Sequence, residues 1–311
     1  MAEHAPIKIG RRQFELSRPD KLLFPADGVT KADLVDYDRR VASVMVPHLR
    51  GRPLMLERFP DGIGKSGFYQ KNVPEYFPAW IHHATIPKAG GTVTHVVCDD
   101  EATLAYLAAE GCITPHTWLS RVDRLERPDR IIFDLDPSGP DFATVRQTAR
   151  ALADLLDAIG LVPFVQTTGS RGLHVVAPID RRTNFDDVRA FAHDVADIVA
   201  AADATHRTVE QRKAKRRGRV FIDILRNAYA QTAVAPYSVR PLAGGPVATP
   251  LAWRELGDGR LTAQRYTIHN LPRRLAHRGD PWADLPRSAR SLSAAIDALA
   301  RLTRHDIGRT G

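Results

Sequence analysis

Between Ile7 and Ser17, the apolar residues Ile7, Ile9, Phe14 and Leu16 are set among polar ones. That period of two predicts a half-exposed strand or hairpin. From Thr30 the period becomes helical: Leu34, Tyr37, Val41, Val44 and Met45 share one side of a segment running to about Leu49. Thr30 followed three residues later by Asp33 is a capping-box-like start for it. Pro53 to Phe59 reads as a strand, Pro87 to Gly91 as a hairpin tip ahead of a strand at Thr94 to Cys98, and Glu101 to Glu110 as an alanine-rich helix. The pattern then turns to strands and helices together: a strand at Ile131 to Asp136, a helix from Asp141 to Gly160, strands at Pro163 to Thr167 and Leu173 to Ile179, and a second amphipathic helix from Phe185 to Ala201. A strand at Val220 to Leu225 and a terminal helix from Arg290 to Leu302 complete an α/β reading with helices packed outside a mixed sheet.

The 311 residues suffice for one large domain or two intimate ones. No apolar run approaches the roughly 20 residues of a membrane span, and the first ten residues lack a signal-peptide centre, so a cytoplasmic protein is expected, nucleoid-associated if its partner is DNA. The two cysteines, Cys98 and Cys112, form no CxxC pair, which argues against a zinc site or a disulfide framework. Net charge is +8, and residues 211–219 carry six cations in nine positions. That balance favours a polyanionic partner.

Chemistry concentrates on the strand at 131–136. Side chains alternate along a strand, so Asp134 and Asp136 share one face while Phe133 and Leu135 point to the core. Paired carboxylates there suit magnesium or manganese; a strand-ending turn at Asp136-Pro137 is the plainer alternative. A second apolar strand, Phe221-Ile222-Asp223-Ile224, carries a lone carboxylate that is costly to bury without a cation. Placed beside the first, it would bring three carboxylates together and call for metal ions to neutralise them. Thr167 to His174 supplies two glycines and the donors Thr168, Ser170 and Arg171 for a phosphate; His174 is either a further donor or, by itself, a structural histidine. The stretch Asp61-Gly62-Ile63-Gly64-Lys65-Ser66 is not a phosphate loop, because Phe59 stands where that pattern needs glycine. Phe68 and Tyr69 serve either as cross-strand packing or as a stacking surface for bases. His82 and His83 face opposite sides of a strand and are read as structural.

Taken jointly, Asp-Leu-Asp-Pro at 134–137, Thr-Gly-Ser-Arg-Gly-Leu-His at 168–174, Phe-Ile-Asp-x-x-Arg-Asn at 221–227 and Ala-Pro-Tyr-Ser-Val-Arg at 235–240 resemble the polymerase domain of bacterial ligase D. That family belongs to the archaeo-eukaryotic primase superfamily and acts in non-homologous end joining. The likeness extends upstream through Asp20-Lys21, Thr30-Lys31, Arg58 to Gly62 and Phe68 to Lys71, and downstream to Thr249 to Trp253. It implies a single primase-polymerase domain over 1–311, with a DNA- and 5′-phosphate-binding part at 1–130, a catalytic core at 131–255 and a helical tail at 256–311. It implies that Asp134, Asp136 and Asp223 hold two divalent cations, Mn2+ or Mg2+. Thr168, Arg171, His174 and Arg240 would contact the nucleoside triphosphate, supported by His116 and Arg226. Lys21 and Lys31 would bind a 5′-phosphate across a gap or break, Phe68 and Tyr69 would stack on template DNA, and the hairpin near Lys88 and the loop holding Arg216 would position DNA ends.

Three positions depart from the family pattern: Gln166 replaces a usual lysine, Thr168 a serine, and Leu242 an arginine. No Lys-x-Asp-Gly ligase signature occurs, so the expectation is a stand-alone polymerase-domain relative or one piece of a larger enzyme, the former favoured. The reaction implied is template-directed nucleotidyl transfer on gapped, overhanging or broken DNA, with ribonucleotides preferred, in company with an end-joining ligase and a DNA-end-binding protein. Primer-independent priming and a catalytically weak DNA-end-binding module are the alternatives; a two-metal phosphodiesterase is the least favoured.

Overall fold

The computed structural model describes residues 4–139 and 141–307. The chain forms two compact units. The first takes the chain up to 123 with 232–249 and 264–280; the second takes 124–231, 250–263 and the chain from 281 onward.

In the first unit, the helix Lys31–Leu49 starts where the sequence places it. Thr30 Oγ1 accepts from the Asp33 N–H (3.1 Å) and Asp33 Oδ2 accepts from the Thr30 N–H (2.8 Å), so two orphan donors of the first turn are satisfied. Its buried stripe packs on the helix Glu101–Ala109, which has an apolar residue or Thr103 at every buried position and is enclosed nearly all round. Beside them lies a four-stranded antiparallel sheet, ordered Thr232–Val234, Cys112–Trp118, Leu54–Arg58, Phe68–Gln70. Hairpins His4–Ile9/Arg12–Ser17 and His83–Lys88/Gly91–Val96 complete the unit, the second turning at Gly90, whose φ of +78° suits glycine. The helix Leu271–Arg278, with only a short basic face to mark it, was not expected from the sequence.

The second unit is built on a six-stranded mixed sheet, ordered Arg207–Thr208, Val220–Asp223, Arg130–Asp136, Leu173–Pro178, Phe164–Thr167, Pro250–Leu251. Only the first pair is parallel. Helices Phe142–Ala158 and Phe185–Ala201 bury their apolar faces, each capped at its start, by Asp141 and by Asn184. Phe133 and Leu135 are fully buried, as the alternation requires. Two tryptophans tie the far edge: Trp253 Nε1 donates to the Pro163 carbonyl (2.9 Å) and Trp282 Nε1 to that of Val165 (3.1 Å). Cys98 and Cys112 are free and buried, and burial pushes both thiols up, which fits small core residues. Among the described residues no helix is long and apolar enough to cross a membrane.

Candidate active site

The register of the second unit's sheet sets the site. Asp134 lies directly opposite Asp223 on one side and opposite His174 on the other; His174 in turn lies opposite Gln166. Directly opposed residues present their side chains to the same face. A single polar row, Asp223, Asp134, His174, Gln166, therefore crosses four strands, and Asp136 joins that face two residues along.

Asn227 keeps this register in place. Past Asp223 the chain leaves the sheet in a short turn, so the ladder stops before reaching Ile132. The Asn227 amide replaces the missing strand: its Oδ1 accepts from the Ile132 N–H (2.9 Å), and its Nδ2 donates to the carbonyls of Ile132 (2.7 Å) and Ile224 (2.9 Å). The turn at Thr167 to Leu173 is held as tightly. Gly169 adopts φ +67°, and Thr168 Oγ1 accepts from the backbone of Ser170 and Gly172. A Cβ on Gly172 would sit 1.9 Å from the Leu135 carbonyl oxygen, between the two aspartates. Gly172 thus serves close packing of this turn on the acidic strand, and its N–H is already used by Thr168.

The carboxylates are matched by cations. Arg171 Nη2 donates to Asp136 Oδ1 (3.1 Å), and Arg216 Nη1 stands 3.5 Å from Asp136 Oδ2. Arg226 Nε is 3.9 Å from Asp134 Oδ2, and His174 Nε2 is 3.5 Å from Asp134 Oδ1. Gln166 Nε2 lies 3.3 Å from His174 Nδ1, and the ring's other nitrogen, Nε2, faces Asp134. Asp223 Oδ1 accepts from the Leu225 N–H (2.7 Å). Burial pushes the Asp223 carboxyl above the usual range, and the like charges of Asp134 and Asp136 add to it; the Leu225 N–H and Arg226 work in the opposite direction. Arg216, expected in a DNA-positioning loop, is buried, with its guanidinium 3.9 Å from the Phe221 ring centre.

Among the described residues, no three His, Cys, Asp or Glu side chains converge into a ready metal cage. The donor set nevertheless suits a hard divalent cation: three carboxylates on one face of two adjacent strands, each turned toward an arginine, a histidine or a backbone N–H.

The first unit gathers a second cluster around Glu57, a residue that the sequence did not single out. His116 Nε2 donates to Glu57 Oε2 (3.0 Å) and the Tyr69 hydroxyl to Glu57 Oε1 (3.1 Å), with the Tyr69 and His116 rings edge to face at 5.9 Å. Burial alone would raise the Glu57 carboxyl. The His116 hydrogen bond and charge, Arg240 and Tyr69 together outweigh that and hold it below the usual range. Arg240 follows Tyr237, whose φ of +70° is strained for a tyrosine and is fixed by full burial and by a hydrogen bond from Tyr37 to its carbonyl (2.7 Å). His116 and Arg240 therefore meet in the first unit, whereas Thr168, Arg171, His174 and Arg226 meet in the second.

Lys31 is buried, with Nζ donating to the Ser17 carbonyl (2.8 Å) and hydroxyl (3.1 Å); burial lowers its pKa. Lys21 pairs with Asp61. Phe68 and Tyr69 are both exposed on an edge strand but face opposite ways, Phe68 opposite Arg58 and Tyr69 opposite Glu57.

Comparison with known proteins gives one consistent family. The family description "LigD, primase-polymerase domain" matches residues 30–282. The multifunctional non-homologous end joining DNA repair protein LigD of Mycobacterium tuberculosis is 35% identical over 301 residues, 93% of this chain and 38% of that protein. The bifunctional LigD of Bacillus subtilis is 30% identical over 286 residues, 91% of this chain and 46% of that protein. The chain thus spans less than half the length of these relatives. The solved polymerase domain from Mycobacterium tuberculosis ligase D in complex with DNA superposes with a TM-score of 0.84 at 34% identity, covering 88% of this chain and 98% of that one.

Proposed function

The chain belongs to the LigD primase-polymerase domain family, and from that premise we propose that it is a nucleotidyltransferase that extends a primer 3′ end on gapped or broken DNA during double-strand-break repair. The observation that carries this reading is the register that sets Asp223 opposite Asp134, with Asp136 on the same face. Asp134, Asp136 and Asp223 would hold two divalent cations, Mn2+ or Mg2+, which when bound supply charge neutralisation for the phosphates in transfer.

The remaining work falls to side chains of this chain. His174, backed by Gln166 at Nδ1, and Arg171 face a nucleoside triphosphate that draws them away from Asp134 and Asp136. Thr168 shapes the turn that aims them. Arg226 supports Asp134, and within the first unit His116 donates to Glu57 beside Arg240. Lys21 and Lys31 would receive the 5′-phosphate of the downstream strand, and Phe68 and Tyr69 would stack on template bases. Preference for ribonucleotides, and service to an end-joining ligase and a DNA-end-binding protein, belong to the same reading.

The deciding experiment is extension of a labelled primer on gapped DNA with manganese, using ribo- and deoxyribonucleotides separately, for wild type, Asp134→Ala and Asp136→Ala. Extension by wild type that disappears in both variants supports the reading and gives the sugar preference. A folded, DNA-binding wild type that extends nothing refutes it in favour of an end-binding module, the role suggested by Leu242.

A further inference from the structure

Tyr76 lies outside every role assigned above. It is 60% exposed, as open to solvent as Tyr69, yet its ring is not loose. Its hydroxyl lies 3.1 Å from Arg58 Nη1, whose N–H it accepts, and donates to Glu110 Oε2 at 3.1 Å; its ring stands edge to face with buried Phe77 at 5.2 Å. Arg58 is itself locked. Its Nε donates to the Glu110 carbonyl, Nη2 to Glu110 Oε2, and Nη1 to Gln70 Oε1, while its guanidinium carbon lies 5.6 Å from the centre of the Phe68 ring. Phe68, Arg58 and Tyr76 therefore form one anchored surface on the face of the edge strand opposite Tyr69.

That surface continues into a cationic region. Lys21 pairs with Asp61, three residues beyond Arg58, and the Lys31 N–H donates to the Lys21 carbonyl (2.9 Å), so the segment that carries Arg58 runs directly to the two lysines. The carboxylates there are already engaged: Glu110 by Arg58 and Tyr76, and Asp61 by Lys21. An exposed aromatic face with its orientation prepaid, next to clustered cations, matches a nucleobase attached to a phosphate.

We propose that Tyr76 is a third stacking residue, which receives the terminal base of a 5′-phosphorylated DNA strand while Lys21 and Lys31 hold its phosphate. The inference rests on the proposed DNA-binding function and adds to it a residue that selects phosphorylated ends by their base as well as their charge. It also separates the two neighbouring aromatics: Phe68 works with Tyr76 on one face of the strand, and Tyr69 with Glu57 and His116 on the other.

The test uses the full chain and gapped DNA whose downstream strand begins with 2-aminopurine, with or without a 5′-phosphate. Affinity is read by anisotropy of a distant label and stacking by quenching of the 2-aminopurine. Wild type is expected to quench the phosphorylated probe. Tyr76→Ala should remove most of the quenching and weaken binding to that probe about fivefold to tenfold, with little change on the unphosphorylated one. Tyr76→Phe keeps the ring but loses its anchor at Arg58 and Glu110, so quenching should be intermediate; this variant keeps the proposal open to refutation even if the alanine variant misfolds. Equal quenching by wild type and both variants overturns the proposal while leaving DNA binding intact. A wild type that binds no gapped DNA overturns the proposed function and this inference together.

Discussion

Removing the Asn227 amide should damage the acidic row without touching a carboxylate. Asn227→Ala deletes all three hydrogen bonds that stand in for the missing strand, leaving the N–H and carbonyl of buried Ile132 without those partners. A buried backbone group stripped of its partner costs about 1–3 kcal/mol. The Ile132 pair and the Ile224 carbonyl together thus predict a loss of about 3 kcal/mol or more, out of a total stability on the order of 5–15 kcal/mol. Asn227→Asp is the sharper probe. It keeps the shape and the acceptor for the Ile132 N–H, but it aims a carboxylate oxygen at two carbonyls, so it should be at least as harmful. Urea denaturation gives the global loss, and hydrogen exchange of the peptide spanning 130–136 reports the local one. Faster exchange confined to that strand, with extension activity falling further than the folded fraction, is the expected result. A change below about 0.5 kcal/mol, with unchanged exchange at Ile132, would refute the claim that Asn227 holds Asp223 in register.

Two further perturbations test other parts of the site. Gly172→Ala forces a Cβ to within 1.9 Å of the Leu135 carbonyl oxygen, backbone against backbone, so the turn must lift off the acidic strand; a loss of about 2–4 kcal/mol and of primer extension is expected, and a melting temperature within a degree of wild type would contradict it. Glu57 has a folded pKa below its ordinary value of 4.5, so its pairing contributes stability above that value, and the contribution is lost as pH falls through the depressed folded value. The melting-temperature gap between wild type and Glu57→Gln should therefore be widest at about pH 6 and close as pH falls below 4.5; a gap that does not change between about pH 6 and about pH 3 would show that the pair contributes nothing.

Much of this was legible in the sequence because it is local. The Thr30–Asp33 box, the Asp141 cap and the alternation that sends Phe133 and Leu135 inward while Asp134 and Asp136 share the other face all follow from neighbours within a few residues. Asp223 could be paired with Asp134 only as a supposition, since strand order is a non-local property; the observed register supplies it. Glu57 was invisible for the same reason. Between Leu56 and Arg58 it looks like any polar strand position, and its partners Tyr69, His116 and Arg240 are 12, 59 and 183 positions away. The adjacency of Phe68 and Tyr69 suggested a pair, although strand alternation was enough to separate their faces. The helix Leu271–Arg278 escaped notice because its basic sequence offers too few apolar residues to set a period.

The chain passes from one unit to the other near residues 123, 231, 249, 263 and 280, and this ordering constrains how the protein can be made. The segment from Gln264 to Asp280 belongs to the unit that opens the chain, and the Tyr237 hydroxyl bonds to Asp280 within it. On the ribosome, neither half of the molecule can be finished until nearly the whole polypeptide has emerged. Closing such long loops is slow, because entropy is lost before distant contacts form. The nascent chain should consequently expose unfinished apolar surface for most of its synthesis, and fragments cut at 130 or 255, however natural those points look in the sequence, should aggregate instead of folding.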